Sequence, residues 1–265
     1  MKKYFNGLTT VNIELTSICN KDCWMCGRRK IDRDYPEIAM NYGHMDFKLV
    51  KKIAKQLPGD IVVQMHNNGE PLMYPKFGET MKLFNRQIRC MDTNGKLLVE
   101  KADELIDNME TLTISVIEND SEGEKQYELV KEFLKLKGNT KPSMIYRCLG
   151  DVDIDKWKEL PGLIVKRVLH DPMGSFKYKK DPVIPEIGIC WEILGHIAIN
   201  RFGEVSICVR FDPKRLGVIG NVNDGKLINI WNGEKRKEWL NQHVTGNRNK
   251  VPLCSYCHFW GVPRG

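Results

Sequence analysis

The sequence predicts an α/β fold in two parts: a partial (β/α)6 barrel over residues 1–175, then a linker and a small C-terminal domain over residues 176–265. Two observations predict it. Six strand-like segments follow one another in the first part, and a helix-like segment separates each successive pair. Such alternation is typical of a parallel sheet covered by helices. Six units form an open barrel, whereas the closed form has eight.

Each element of the first part follows from its own pattern. The predicted strands are short apolar runs that end in polar or turn residues, and the predicted helices carry apolar residues three or four positions apart. The first helix, for example, starts near Asp46 and stops before Pro58. The predicted strands are 9–17, 60–65, 87–92, 111–117, 143–148 and 163–169; the predicted helices are 46–57, 75–85, 97–106, 123–136 and 153–160.

The second part differs in kind. A basic, proline-containing linker covers residues 177–185. Beyond it, the segments 195–200 and 204–208 alternate like two strands and are joined through Gly203, which predicts a β-hairpin. A helix is expected from about residue 227 or 230 to residue 242. The C-terminal domain is therefore predicted to be a hairpin plus a helix.

Three cysteines directly after the first strand have the spacing C-x3-C-x2-C: Cys19, Cys23 and Cys26. Three thiolates at this spacing hold a [4Fe–4S] cluster and leave one iron without a protein ligand. Zinc and chance clustering are the alternatives, although zinc sites more often pair two C-x2-C units. The loop lies at the C-terminal end of a strand, where α/β folds place their chemistry.

At this loop the sequence resembles the radical SAM superfamily. The resemblance implies the partial barrel, a SAM-binding cluster, and reductive cleavage of SAM to a 5′-deoxyadenosyl radical that abstracts hydrogen from a substrate. The residue before the third cysteine is usually aromatic in the family and here is Met25, with Trp24 one place earlier. We therefore expect Met25 to contact SAM through its backbone.

Other strand ends resemble the family's SAM-binding positions. Gly69-Glu70-Pro71 resembles the GGEP motif, which binds the SAM amino group through backbone and carboxylate; Asn68 stands in place of the first glycine. A common turn is the alternative reading. The remaining candidates that the resemblance implies are Thr93 and Asn94 after the third strand, Ser115 on the fourth, and Lys125 or Arg147 as the counter-ion of the SAM carboxylate.

Four more cysteines lie in the second part: Cys190, Cys208, Cys254 and Cys257. Their C-x12-G-x4-C and C-x2-C spacings resemble the SPASM/twitch extension of radical SAM enzymes. The resemblance implies a twitch domain with one auxiliary [4Fe–4S] cluster, and a four-cysteine zinc site is the alternative. Full cysteine ligation leaves no open iron, so this cluster is suited to carrying electrons.

Three residues are candidates for catalysis. Cys148, at the end of the fifth strand, is a candidate hydrogen-atom donor, with buried packing as the alternative. His170 and Asp171 follow the sixth strand and are candidates for substrate contact or proton acceptance, with a plain turn as the alternative.

We expect a radical SAM oxidoreductase. The layout resembles radical SAM dehydrogenases, which implies oxidation of a secondary alcohol of a sugar or aminocyclitol, with the electron leaving through the auxiliary cluster. Three alternatives stay open: a radical epimerase using Cys148, a peptide (RiPP) maturase, for whose usual recognition domain the chain has little room, and a zinc- or nucleic-acid-binding protein.

Composition narrows the location and partners. The net charge is +7, but the basic residues are scattered without interleaved aromatics, so nucleic acid is an unexpected partner. No apolar run is long enough to cross a membrane, and the N-terminus has no signal-like segment, so we expect a cytoplasmic protein. The expected partners are a small-molecule substrate and a flavodoxin- or ferredoxin-type electron donor.

Overall fold

The computed structural model describes residues 4–169, 189–255 and 257. Six parallel strands form the barrel part: β1 (Thr10–Ile13), β2 (Val62–Met65), β3 (Ile88–Thr93), β4 (Thr111–Ile117), β5 (Ser143–Leu149) and β6 (Leu163–Arg167). The helices between them are α1 (Gly27–Asp34), α2 (Phe47–Ala54), α3 (Phe77–Leu83), α4 (Ala102–Leu105), α5 (Gly123–Lys137) and α6 (Asp155–Lys158). The predicted partial (β/α)6 architecture is confirmed.

The C-terminal part consists of α7 (Trp191–Gly195), β7 (His196–Ile199), β8 (Glu204–Ser206), β9 (Val218–Asn221), α8 (Leu227–Trp231), α9 (Glu234–Val244) and α10 (Pro252–Ser255). The predicted hairpin is β7–β8. The single helix expected over residues 227–242 is two helices, because the chain turns at Asn232 and Gly233. The proposed boundary between residues 175 and 176 lies outside the described residues.

The nine strands of the described residues form one sheet in the order β6-β5-β4-β3-β2-β1-β7-β8-β9. Strand β7 pairs with β1 in parallel, in the register Thr10↔His196 to Ile13↔Ile199. The C-terminal hairpin therefore continues the barrel sheet beyond β1, an arrangement that the strand patterns alone did not predict.

The sheet has two different faces because successive side chains point to opposite sides. On one face, apolar residues such as Val11, Met65 and Tyr146 pack against the helices in one large core. We call the other side the open face; it carries Asn12, Gln64, Asp92, Arg147 and Ala198, which have the opposite parity. Each large core side chain contributes roughly 1.5–3 kcal/mol by burial, so the strands are fixed from the helix side and polar groups are left to the open face.

Candidate active site and iron–sulfur sites

The first cysteine loop is anchored at both ends. Before it, Ser17 donates from its backbone N–H to the carbonyl of Gly43 at 2.9 Å. After it, Cys26 is the N-cap residue of α1. Local folding thus places Cys26 where the loop passes into α1, so the loop and the helix hold the third thiol in a defined position.

Positive charges surround this loop. Arg28 is buried, donates to the carbonyl of Ser17 and lies close to Cys26 and Cys19. Burial acts to lower the pKa of Arg28, but the thiolate charges outweigh it and raise the pKa. Burial raises the pKa of Cys23 to about 12, with the charge of Lys21 opposing that rise. A buried thiol of this kind loses its proton when iron binds, because the metal replaces the proton as the stabilising charge.

Gly69 packs directly on the backbone that leads to Cys19. Its φ is +78°, and a Cβ atom there would lie 2.3 Å from the carbonyl oxygen of Thr16. The next residue, Glu70, donates its backbone N–H to the carbonyl of Ile18 at 2.8 Å. Only glycine permits this approach, so the Gly69–Glu70 segment and the cysteine loop form one edge.

The Glu70 carboxylate joins this edge to the loop after β3. It accepts hydrogen bonds from the Thr93 hydroxyl at 2.7 Å and from the Asn94 N–H at 2.8 Å. Burial raises the pKa of Glu70 to about 7, against the opposing effect of these bonds. The Asn94 side chain in turn lies 3.8 Å from the Cys19 sulfur and donates to the Asn20 side chain at 2.8 Å. The predicted motifs after β1, β2 and β3 therefore converge at Cys19.

Gln126 is a site residue that the sequence did not reveal. It is buried at the start of α5, and its amide donates to the carbonyls of Asn94 at 2.8 Å and of Ser115 at 3.0 Å. It therefore fixes two predicted SAM positions relative to each other. Its neighbour Lys125 is exposed, whereas Met25 is half-buried in the cysteine loop and Pro71 is buried at the start of a short 3-10 helix. The roles of these residues toward SAM stay predictions.

The open face carries a second feature that the sequence did not reveal. The Asp92 carboxylate, whose side chain is 3% exposed, pairs with the Arg147 guanidinium and accepts a hydrogen bond from the Gln64 amide at 2.6 Å. The His66 ring nitrogen Nε2 lies 3.8 Å from the same carboxylate. Arg147 is thus held by Asp92 rather than presented alone for the SAM carboxylate.

The structure places Cys148 away from the site. Its side chain is fully buried in the core with Met144 and Tyr146, on the helix-covered face, and Arg147 points to the other side. Burial also raises the pKa of its thiol. This position opposes the predicted role of Cys148 as a hydrogen-atom donor, because the strand alternation points the sulfur away from the open face; the role stays a prediction. His170 and Asp171 lie outside the described residues.

The four C-terminal cysteines come together although they span residues 190 to 257. Burial raises the pKa values of Cys208 and Cys254, that of Cys254 to about 12, and the charges of Cys190 and Cys257 add to both shifts. An apolar cluster of Ile193, Ile207, Trp239 and Val251 packs against three of them. Within the described ranges, no three His, Cys, Asp or Glu side chains are grouped to hold a single metal ion.

His243 contacts this second cysteine set and was not predicted. Its Nδ1 lies 3.4 Å from the Cys190 N–H, and its Nε2 lies 3.4 Å from the Cys254 sulfur. Burial, with help from the charge of Arg248, lowers the pKa of His243 to about 4, so the ring is neutral at pH 7. A neutral ring that donates to a thiolate is a usual way of tuning a cluster.

A cavity of about 480 Å³ is lined jointly by the barrel part and the C-terminal part. Glu14 and Asn68 line it from the barrel part, and Cys208 and Arg210 line it from the C-terminal part. A larger cavity of about 950 Å³ lies near the N-terminal end of β2, and none of the seven predicted ligands lines it. The smaller cavity is therefore the candidate substrate site. No helix among the described residues has the length and apolarity needed to cross a membrane.

Comparison with known families identifies the C-terminal part of the chain. Residues 190–258 match the SPASM family, an iron-sulfur cluster-binding domain. This match, the three-cysteine loop at the end of β1 and the barrel are the features that the chain shares with radical SAM oxidoreductases that carry a SPASM domain and use S-adenosylmethionine and [4Fe–4S] clusters.

A particular relative is the S-adenosyl-L-methionine-dependent 2-deoxy-scyllo-inosamine dehydrogenase of Niallia circulans. The two are 24% identical over 258 residues, which is 94% of this chain and 92% of the relative. The expected resemblance to radical SAM dehydrogenases is thereby confirmed.

Solved structures share the fold. BtrN in complex with AdoMet and 2-DOIA superposes with a TM-score of 0.63 at 19% identity, covering 97% of this chain and 94% of BtrN. Histidine-tagged anSMEcpe with bound AdoMet gives 0.63 at 14% identity, with 89% and 80% covered. Streptococcus suis SuiB bound to S-adenosylmethionine gives 0.62 at 13% identity, with 96% and 73% covered.

Proposed function

We propose that this protein is a radical SAM dehydrogenase that oxidises a secondary alcohol of a small polyol, a sugar or an aminocyclitol, to a ketone. The observation that carries the proposal is the position of Cys208. This thiol belongs to the second cysteine set and also lines the cavity that Asn68 and Glu14 border from the SAM side. An electron acceptor held there is next to the place where a substrate radical forms.

The residues present fit the cofactors. Cys19, Cys23 and Cys26 would hold the SAM-binding cluster, and Cys190, Cys208, Cys254 and Cys257 would hold the auxiliary one. When bound, these groups supply hydrogen-atom abstraction through a 5′-deoxyadenosyl radical and a site for the departing electron. The Gly69–Glu70 edge and the Thr93–Asn94 turn would bind SAM.

The cavity fits a polar ligand that is uncharged or carries an amino group. Three carboxylates and two arginines line it, and Glu204 pairs with Arg215. Glu14 is buried and accepts hydrogen bonds from the Asn68 side chain at 2.8 Å and from the Arg201 N–H at 3.4 Å. Hydroxyl groups match such a lining because each can both donate and accept. The similarity to a dehydrogenase that by its name acts on 2-deoxy-scyllo-inosamine supports the same substrate class.

The electron donor and location follow as further proposals. A net charge of +7 favours encounter with acidic carriers such as flavodoxin or ferredoxin. Both are cytoplasmic partners. The position of Cys148 in the core opposes the epimerase alternative.

The experiment uses anaerobically reconstituted protein with SAM and dithionite, and 2-deoxy-scyllo-inosamine and myo-inositol as probes. We expect about eight irons per chain, as two [4Fe–4S] clusters require, together with 5′-deoxyadenosine and a ketone. Cys208→Ala should retain 5′-deoxyadenosine formation and lose ketone, because only the second cysteine set is damaged. Wild-type protein that releases 5′-deoxyadenosine but never a ketone, with these probes and a panel of other polyols, would contradict the proposal.

A further inference from the structure

The open face holds a cluster of polar side chains, which we call the Asp92 cluster: Gln64, His66, Asp92 and Arg147. Asp92 is buried and lies beneath the others. Its oxygen Oδ1 accepts a hydrogen bond from Gln64, and its oxygen Oδ2 pairs with Arg147 and lies 3.8 Å from the His66 Nε2. A buried carboxylate is costly unless it is paired, so an elaborate set of partners points to a purpose beyond packing.

Two members of the Asp92 cluster are accessible to a ligand on the open face. The side chains of His66 and Arg147 are 36% and 29% exposed, whereas that of Asp92 is 3% exposed. The cluster therefore presents an imidazole and a guanidinium to the open face and hides the anion that orients them. A carboxylate that lies behind a histidine selects the tautomer and the orientation of the ring. The His66–Asp92 distance of 3.8 Å is long for a hydrogen bond, and such contacts shorten when a ligand binds.

The backbone of His66 is also held. Asn12 on β1 donates from its amide to the His66 carbonyl at 2.9 Å. The Asn12 oxygen lies 2.5 Å from the His196 Nε2, and Glu192 contacts the other nitrogen of that ring. Asn12 on β1, itself in contact with His196 on β7, thus holds the backbone of His66 in place.

Burial, more than the surrounding charges, lowers the pKa of the His66 ring. Burial lowers the pKa of His66, the charges of Arg147 and His196 add to this lowering, and the charge of Asp92 opposes it. A neutral imidazole can accept a proton at pH 7. Asn68, two residues after His66, lines the candidate cavity, and the next residue, Gly69, begins the Gly69–Glu70 edge.

We propose that His66 is the proton acceptor for the substrate hydroxyl group and that Asp92 and Arg147 position it. This inference rests on the proposed function. After the carbinol carbon has lost a hydrogen atom, the O–H bond breaks, its proton passes to the His66 ring, and the C=O bond forms as one electron leaves. An oxidised [4Fe–4S] cluster held by the second cysteine set would accept that electron. The substrate loses two protons and two electrons in total.

The first test compares His66→Gln with His44→Gln, a histidine whose ring packs edge-on against Tyr74. Both variants are reconstituted and given a substrate that the wild type converts. We expect His66→Gln to lower ketone formation by roughly 100-fold or more, the usual contribution of a general base. It should still form 5′-deoxyadenosine in a single turnover, and His44→Gln should resemble the wild type. Equal ketone rates in the two variants would overturn the proposal.

A structural role alone would not produce the expected pH behaviour. Asp92→Asn removes the charge that raises the pKa of His66, so the acid limb of the ketone-formation profile should move to lower pH. Arg147→Gln removes a charge that lowers the pKa, so the limb should move to higher pH. Shifts in the same direction, or none, would overturn the assignment.

A binding measurement separates this inference from the proposed reaction. Calorimetry on SAM-loaded, oxidised holoenzyme measures the affinity for 2-deoxy-scyllo-inosamine and myo-inositol without turnover. We expect Asp92→Asn to weaken polyol binding by about tenfold, roughly one charge-assisted hydrogen bond, while His44→Gln leaves it unchanged. Polyol binding that depends on Asp92 without any ketone refutes the reaction but supports the site. No saturable polyol binding to the wild type overturns the site.

Discussion

Gly69 offers a sharp test of how the cofactor edge is built. Replacing it by alanine does two things: it places a side chain at a φ of +78°, and it brings a Cβ to 2.3 Å from the Thr16 carbonyl oxygen and 2.8 Å from that of Ile18. The first effect costs roughly 1–2 kcal/mol. The second adds an overpacking cost of roughly 1–3 kcal/mol.

The overlap can be relieved only by backbone movement. Cβ atoms essentially never come within 3.0 Å of another heavy atom, so the two segments must separate by about 0.7 Å. The moving segment leads directly to Cys19. A displacement of this order at a reacting centre is enough to cost about 100-fold in rate. We therefore expect Gly69→Ala to bind SAM at least tenfold more weakly and to lose most SAM cleavage.

Gly246→Ala is the matched control. Its φ is +73°, and a Cβ there would meet nothing within 4 Å, so it carries the backbone cost without the overlap. The assay is iron per chain, SAM affinity by equilibrium dialysis and the rate of 5′-deoxyadenosine release. If Gly69→Ala and Gly246→Ala match each other in SAM affinity and cleavage, the close approach of the two segments does not matter and the reasoning is refuted.

Two further predictions follow from burial. Cys148→Ala should keep ketone formation within about twofold of the wild type, since the sulfur lies in the core; loss of turnover with SAM cleavage retained would restore the hydrogen-donor role. Glu70 has a raised pKa of about 7 against 4.5 in the unfolded chain, so the native state holds the extra proton and stability falls as pH rises from about 4.5 to about 7. Wild type should therefore lose up to about 3 kcal/mol relative to Glu70→Gln across this range, measured from urea midpoints of anaerobic, SAM-free protein. A midpoint difference that does not change with pH would contradict this.

The sequence predicted the barrel strands well because each is a short apolar run bounded by polar residues. It missed α1, whose residues are mostly charged and which buries only Gly27, Arg28 and Ile31. Such a helix has no amphipathic pattern from which it could be predicted. It begins directly after Cys26, which is its N-cap residue. The helix expected over residues 97–106 shrinks to α4, because the chain makes turns before Ala102.

The site residues also fall into two groups, those that the sequence predicted and those that it did not. The cysteines and the strand-end motifs were predicted because their spacing is local in the chain. The Asp92 cluster was missed because its members come from three strands, and no local pattern marks Asp92 as the partner of Arg147. The position of Cys148 was different: its parity with Met144 and Tyr146 was already readable from the strand pattern. The alternation along β5 therefore predicts that Cys148 lies in the core, although the residue is near the end of the barrel.

The pairing of β7 with β1 has a consequence for how the chain folds. The hydroxyl of Thr9 and the carbonyl of Gly195 are hydrogen-bonded across 186 residues of sequence, and the parallel ladder follows directly after them. During synthesis, β1 emerges first, and its second neighbour, β7, begins only at residue 196 of 265. Its unpaired side is an exposed strand edge during that time, and such non-local pairing is slow. The strand that carries the first cysteine loop therefore gains its second neighbour only after the six barrel strands and Cys190 have been made. The final setting of the first cysteine loop is in this way tied to the arrival of the C-terminal part, which also carries the second cysteine set.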